Sequence, residues 1–157
     1  MRVYLIQHGL AKSKDEDATR PLTEQGLAES WNVAAFVKEL RLCVKAIWQS
    51  GKTRAAQTAE VFAGAFGAAE GVVRRGGLAP NDDVAPVAEA IERAEGDLVL
   101  VGHMPFLSKL AARLLLGKES PEPISFRNSG VVCLRRGDEG AWQVAWIATP
   151  DLLAKGT

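Results

Sequence analysis

The sequence predicts a three-layer α/β sandwich with a mainly parallel central sheet, built as a single domain over residues 1–157. Three observations lead to it. Short apolar β-type runs alternate with amphipathic helical segments through most of the chain, the pattern of βαβ units. Leu98 to Val101 is apolar at every position, as a strand covered on both faces must be. The length of 157 residues, 47% hydrophobic and 24% charged, suits one domain with a sizeable core, and no repeat or linker divides it.

The elements follow in order. Val3 to Ile6 forms the first strand, closed by Gln7-His8-Gly9. Residues 11–20 are polar and make an exposed loop. Pro21-Leu22-Thr23 opens a helix with Thr23 as N-cap. Leu27, Trp31, Ala34 and Leu40 give this helix its apolar face, despite Gly26. Val44 to Trp48 is a second strand, ended by Gln49-Ser50-Gly51. Residues 52–66 are Ala-rich and carry Ala55, Ala59, Phe62 and Phe66 on one face of a second helix.

Val72 and Val73 make a short third strand before a loop over residues 76–83, where Asp82 or Asp83 caps a third helix reaching about Ala94. Leu98 to Val101 ends in Gly102-His103, and Pro105 marks the first turn of a fourth helix running to about Leu116. Val131 to Leu134 and Trp142 to Ile147 are two further strands joined by the turn Arg136 to Gly140. They pair either as a hairpin or at separate places in the sheet.

Composition excludes several classes of function. Lys+Arg and Asp+Glu stand at 19 each, so the chain has no overall basic footprint for nucleic acid, although a local anion pocket remains compatible. Cys43 and Cys133 lie in apolar strand-like runs and read as buried free thiols rather than a disulfide. Met1 leads straight into a strand without a signal-peptide pattern. No apolar run reaches the roughly 18 residues of a membrane span. A cytoplasmic protein with no membrane partner is the expectation.

In a mainly parallel sheet the ligand crevice lies at the carboxyl ends of the strands. Gln7-His8-Gly9, Ser50 to Arg54 and Gly102-His103 fall there, so both histidines of the chain occupy equivalent strand ends. Neither is accompanied by a Cys, His or carboxylate cluster with ligand spacing, so neither a metal nor another cofactor is expected. Phosphoryl transfer needs a nucleophile, cations for the equatorial oxygens and correct positioning. Neutral imidazole meets the first need, because its pKa is roughly 6.5. Gly9 lets the backbone approach a phosphate closely. Arg54 sits in the first turn of a helix, where the dipole already favours an anion and a guanidinium can bind two oxygens. His103 can donate a hydrogen bond to the same group.

Four segments carry a resemblance. Leu5-Ile6-Gln7-His8-Gly9, Arg20-Pro21-Leu22-Thr23, Ser50 to Thr58 (SGKTRAAQT) and Val101-Gly102-His103-Met104-Pro105 resemble, in order and spacing, the phosphoglycerate mutase-like histidine phosphatase superfamily. The short length and the RPLT segment are similar to its compact bacterial SixA-type branch. The resemblance implies that His8 becomes phosphorylated and that Arg54 and His103 bind the phosphoryl group, with Arg20 a further contact. Asn128-Ser129-Gly130 matches a pocket-lining segment more weakly. The expected activity is dephosphorylation of a phosphohistidine-bearing protein. The alternatives are a small phosphate ester hydrolysed at the same site, or a weakly active binding module.

Two positions depart from the family pattern. The motif begins Arg-His-Gly, and here Gln7 stands first. Glutamine still offers N–H donors to a phosphate but no charge, and a charge-assisted bond is roughly twice as strong. Arg20, Lys12 or Lys14 could supply the cation from the adjoining loop. Larger family members use a carboxylic acid from the loop after the third strand to protonate an alkoxide. Here that loop holds Asp82 and Asp83, which read better as helix caps. A missing acid matters less for phosphohistidine, whose imidazole leaving group is a weaker base.

Overall fold

The computed structural model describes residues 1–153. The chain order is β1 (Arg2–Gln7), α1 (Glu24–Glu39), β2 (Cys43–Val44), β3 (Ala46–Gln49), α2 (Thr53–Ala63), β4 (Gly67–Ala68), β5 (Val72–Arg74), α3 (Ala85–Arg93), β6 (Leu98–Gly102), α4 (Phe106–Leu116), β7 (Val131–Arg136), β8 (Trp142–Ala148) and α5 (Pro150–Leu153). The central sheet runs β5-β3-β6-β1-β7-β8, and β2 pairs with β4 in a small separate sheet. β5, β3, β6 and β1 are parallel, whereas β7 is antiparallel to both β1 and β8. The last two strands therefore form a hairpin on a parallel core.

Side-chain alternation along β1 separates two cores. Val3 and Leu5 pack with Val87, Ile91, Phe106 and Leu110 of α3 and α4. Tyr4 and Ile6 pack with Val33, Val37, Ala59 and Phe62 of α1 and α2. These are the three expected layers. All five residues of β6 are buried, and each fully buried Leu or Val there contributes about 1.5–3 kcal/mol.

Four expectations need correction. The buried face of α1 is Gly26, Ser30, Val33, Ala34 and Val37, while Leu27, Trp31 and Leu40 are exposed. Small residues let this helix approach closely: a Cβ on Gly26 would lie 2.2 Å from the Leu10 carbonyl oxygen. Cys43 is exposed, because β2 lies in the small sheet rather than the central one, and only Cys133 is a buried thiol. The N-cap of α3 is Val84. Asp83 accepts the Ala85 N–H at 3.0 Å, and Asp82 turns back to accept the Ala79 N–H at 2.9 Å. Pro105 is the N-cap of α4 rather than part of its first turn.

Thr23 caps α1 as expected, accepting the Gly26 N–H at 2.9 Å. No described helix is long and apolar enough to cross a membrane.

Candidate active site

Strand register brings the predicted segments together. Gln7 pairs with Gly102, and Gln49 pairs with Val101, so β1, β6 and β3 end nearly level. His8, His103 and Ser50 follow those ends side by side. The rings of His8 and His103 lie 5.1 Å apart, centroid to centroid, and are tilted by 51°.

His8 is held from several directions. Its backbone N–H donates to the Gly102 carbonyl at 3.0 Å, and its carbonyl accepts Asn128 Nδ2 at 2.8 Å. Its ring Nδ1 donates to the Gly9 carbonyl at 2.7 Å. A carbonyl only accepts, so the proton sits on Nδ1, and in the neutral ring Nε2 carries the lone pair. Burial pushes the pKa of His8 down. Its bond to the Gly9 carbonyl opposes that shift, and the nearby Arg54 and Arg20 reinforce it. Neutral imidazole is therefore the favoured form near pH 7.

The glycine beside it is needed for close packing. A Cβ on Gly9 would meet Ser30 Oγ at 2.9 Å and the Gly26 carbonyl and Ser129 Oγ at 3.0 Å. Ser30 and Ser129 share a buried hydroxyl contact of 2.7 Å. Ser129 itself adopts a left-handed φ of 66°, and its N–H donates to the Gln7 carbonyl at 2.9 Å.

His103 is 1% exposed. Its Nε2 contacts Ser50 Oγ at 2.6 Å, while its Nδ1 is buried with no hydrogen-bond partner among the described residues. Burial, with added repulsion from His8, Arg54, Lys52 and Arg20, pushes its pKa down to about 3. Arg54 Nε is likewise buried without an acceptor. Two buried nitrogens without a partner among the described residues thus lie near His8, and a bound anion would give Arg54 Nε the acceptor it lacks.

Arg54 is in the first turn of α2, whose N-cap Lys52 makes no side-chain cap bond, so the helix opens uncapped toward an anion. Arg20 adopts a left-handed φ of 51°, and its Nε donates to the Lys12 carbonyl at 3.0 Å. Both arginines border a cleft of about 650 Å³ formed by segments 18–20, 51–54 and 79–82, with Lys14 at its edge. Lys14, Arg20, Lys52 and Arg54 outnumber its one carboxylate, Asp82. The chain is neutral overall, but this cleft is basic. Gln7 is half-buried at the end of β1, and Lys12 contributes its carbonyl to Arg20 rather than lining the cleft.

Residues outside the predicted set complete the site. Thr58 accepts the Gly9 N–H at 3.0 Å and donates to the Arg54 carbonyl at 2.8 Å. Gln57 accepts the Leu22 N–H at 2.7 Å, tying the RPLT segment to α2. Both lie inside the SGKTRAAQT segment, so the motif marked them without showing what they bind. Among the described residues, no three His, Cys, Asp or Glu side chains gather closely enough to hold a metal ion.

Comparison with known proteins agrees with this geometry. No protein-family model matches the chain. An uncharacterized protein of Picosynechococcus sp. is 34% identical over 145 residues, covering 87% of this chain and 86% of that protein. The phosphohistidine phosphatase SixA of Escherichia coli is 24% identical over 155 residues, covering 96% and 94%. The structure of the protein histidine phosphatase SixA complexed with tungstate superposes with a TM-score of 0.84 at 25% identity, covering 98% of this chain and 99% of that one. The chain belongs to the histidine phosphatase superfamily. Within it, the fold and near-complete coverage match the compact SixA-type branch.

Proposed function

We propose that this phosphatase hydrolyses phosphohistidine on a partner protein, with His8 as the covalent intermediate. The observation that carries the reading is the His8 ring: Nδ1–H is committed to the Gly9 carbonyl, which leaves Nε2 as a lone pair in a cation-lined site.

In the first step Nε2 of His8 attacks phosphorus and the substrate's P–N bond breaks, its electron pair leaving with the substrate imidazole. That imidazole takes a proton from water if it departs as the anion, and departs neutral if already protonated. In the second step water attacks the phosphoryl group, the His8 N–P bond breaks, and inorganic phosphate leaves. Arg54 and Arg20 neutralise the equatorial oxygens and His103 hydrogen-bonds to them. A preorganised donor of this kind is worth about 10²–10³ in rate. The SixA structure of the same fold is a complex with tungstate, an oxyanion, which is consistent with an anion-binding role.

The N–P substrate is favoured by the state of the nearby carboxylate. Asp82 lines the cleft, and one of its carboxylate oxygens is engaged by the Ala79 N–H at 2.9 Å. A leaving alkoxide would lack an obvious proton donor, whereas imidazole needs far less help.

The test supplies a phosphohistidine-bearing carrier protein, a phosphoamidate and an aryl phosphate to the wild type and to His8→Ala. Phosphate release from the first two, abolished in the variant, is expected. Release that survives His8→Ala would overturn the assignment of the nucleophile, and binding without release by the wild type would make the protein a capture module.

A further inference from the structure

We propose that Ser50 is a positioning residue that holds His103 in the tautomer with its proton on Nδ1, so that Nδ1 donates to the phosphoryl group; this rests on the phosphoryl-transfer reading above. The 2.6 Å contact between Ser50 Oγ and His103 Nε2 contains one hydrogen, and either atom could own it. The surroundings of Ser50 decide the matter.

A hydroxyl has one hydrogen to give and two lone pairs to receive with. Ser50 Oγ already receives the Lys52 N–H at 3.3 Å. Among the described residues, the one acceptor within reach of its own hydrogen is His103 Nε2. If Nε2 were protonated instead, two donors would converge on Oγ and the serine hydrogen would have no acceptor among the described residues. With Nε2 accepting, a neutral ring must carry its proton on Nδ1. Burial keeps the ring neutral, since its pKa falls to about 3.

The other end of the ring gives the same answer. Nδ1 is buried and has no hydrogen-bond partner among the described residues. As an N–H it is a donor awaiting an acceptor, and the His103 ring lies 5.1 Å from the ring that becomes phosphorylated. As a bare lone pair it would repel an anion held there. The Nδ1–H tautomer is the one that suits a phosphoryl oxygen, and Ser50 selects it from the far side of the ring. The backbone holds Ser50 in place: Gln49 ends β3 level with Val101, and Gln49 Oε1 takes the N–H of Gly51.

The experiment uses the long-range ¹⁵N–¹H spectrum of the intact protein, labelled at its two histidines, near pH 7. His8→Ala assigns the signals. The wild type is expected to show His103 protonated at Nδ1 and unprotonated at Nε2, and the reverse pattern would overturn the proposal. Ser50→Ala should populate the Nε2–H form and lower kcat about tenfold, less than the 10²–10³ of a lost oxyanion donor, with KM changed less than kcat. Ser50→Thr, which keeps the hydroxyl, should restore both the spectrum and the rate. An unchanged tautomer and kcat in Ser50→Ala would also overturn it. A wild type that releases no phosphate would sink the functional reading alone, because the spectrum still decides the tautomer.

Discussion

The hydroxyl of Thr58 accepts the N–H of Gly9 at 3.0 Å and donates to the carbonyl of Arg54 at 2.8 Å. One buried side chain thus joins the loop that follows His8, the proposed nucleophile, to the helix that carries Arg54. Thr58→Val keeps the shape but leaves the buried Gly9 N–H unpaired, at a cost of about 1–3 kcal/mol. The urea midpoint should fall at unchanged m-value, and kcat should fall with it. Thr58→Ser keeps both bonds and loses one methyl group, a cost of about 0.8 kcal/mol. Equal midpoints for the two variants would show that the hydroxyl is not what holds the loop.

His103 makes stability depend on pH in a defined direction. Its pKa falls from an unfolded value of roughly 6.5 to about 3 in the folded protein. Between those values the unfolded chain binds more protons, so stability is full above the unfolded pKa and declines as the pH drops below it. Between about pH 7 and 5.5, above most carboxylate titration, the slope reports chiefly His103 and His8. His103→Gln should flatten it in urea titrations taken across that window. An unchanged slope would mean that His103 titrates normally in the folded state.

Gly26→Ala should destabilise the protein, although alanine is the better helix former by about 0.8–1.0 kcal/mol. The new Cβ would stand 2.2 Å from the Leu10 carbonyl oxygen and 2.8 Å from its backbone nitrogen. Neither atom can give way without moving the loop that follows His8. Overpacking of this kind costs about 1–3 kcal/mol, which outweighs the gain in propensity. A raised midpoint in denaturant would contradict the close approach.

Gln7→Arg would place a cation at the end of β1, next to His8 and the proposed phosphoryl site. A charge-assisted bond to the transition state should raise kcat by severalfold, since such bonds are roughly twice as strong as neutral ones. The added charge also disfavours protonation of His8, so the acid limb of the pH–rate profile should move lower. Unchanged or slower turnover, or an acid limb moved upward, would count against the charge argument.

Much of the architecture could be read from hydrophobic pattern. The fully apolar Leu98 to Val101 announced a strand covered on both faces, and β6 is buried throughout. Both histidines could be placed at strand ends because Gly102 and Gly9 punctuate the runs. The face of α1 could not be read this way. Beside Val33, Ala34 and Val37 its contact is made by Gly26 and Ser30, and small residues carry little hydrophobic signal even where they pack most closely. Leu27 and Trp31 carried the signal and lie outside. The support of His8 was hidden for a different reason. Asn128 reaches its carbonyl across 120 positions of sequence, and no local pattern specifies a hydrogen bond over that span. Nor does the fate of Cys43 follow from its apolar neighbours, since nothing local separates the two-residue strand β2 from the central sheet.

The most direct test of the central claim is to trap the phosphoenzyme. The wild type is mixed with a phosphohistidine-bearing protein, quenched in alkali within the first turnover, and digested for mass spectrometry. An acid-labile, alkali-stable phosphoryl group on the peptide that contains His8, absent from His8→Ala, is the predicted result. Phosphoryl label on His103 or on any hydroxyl, or full turnover by His8→Ala, would contradict the account.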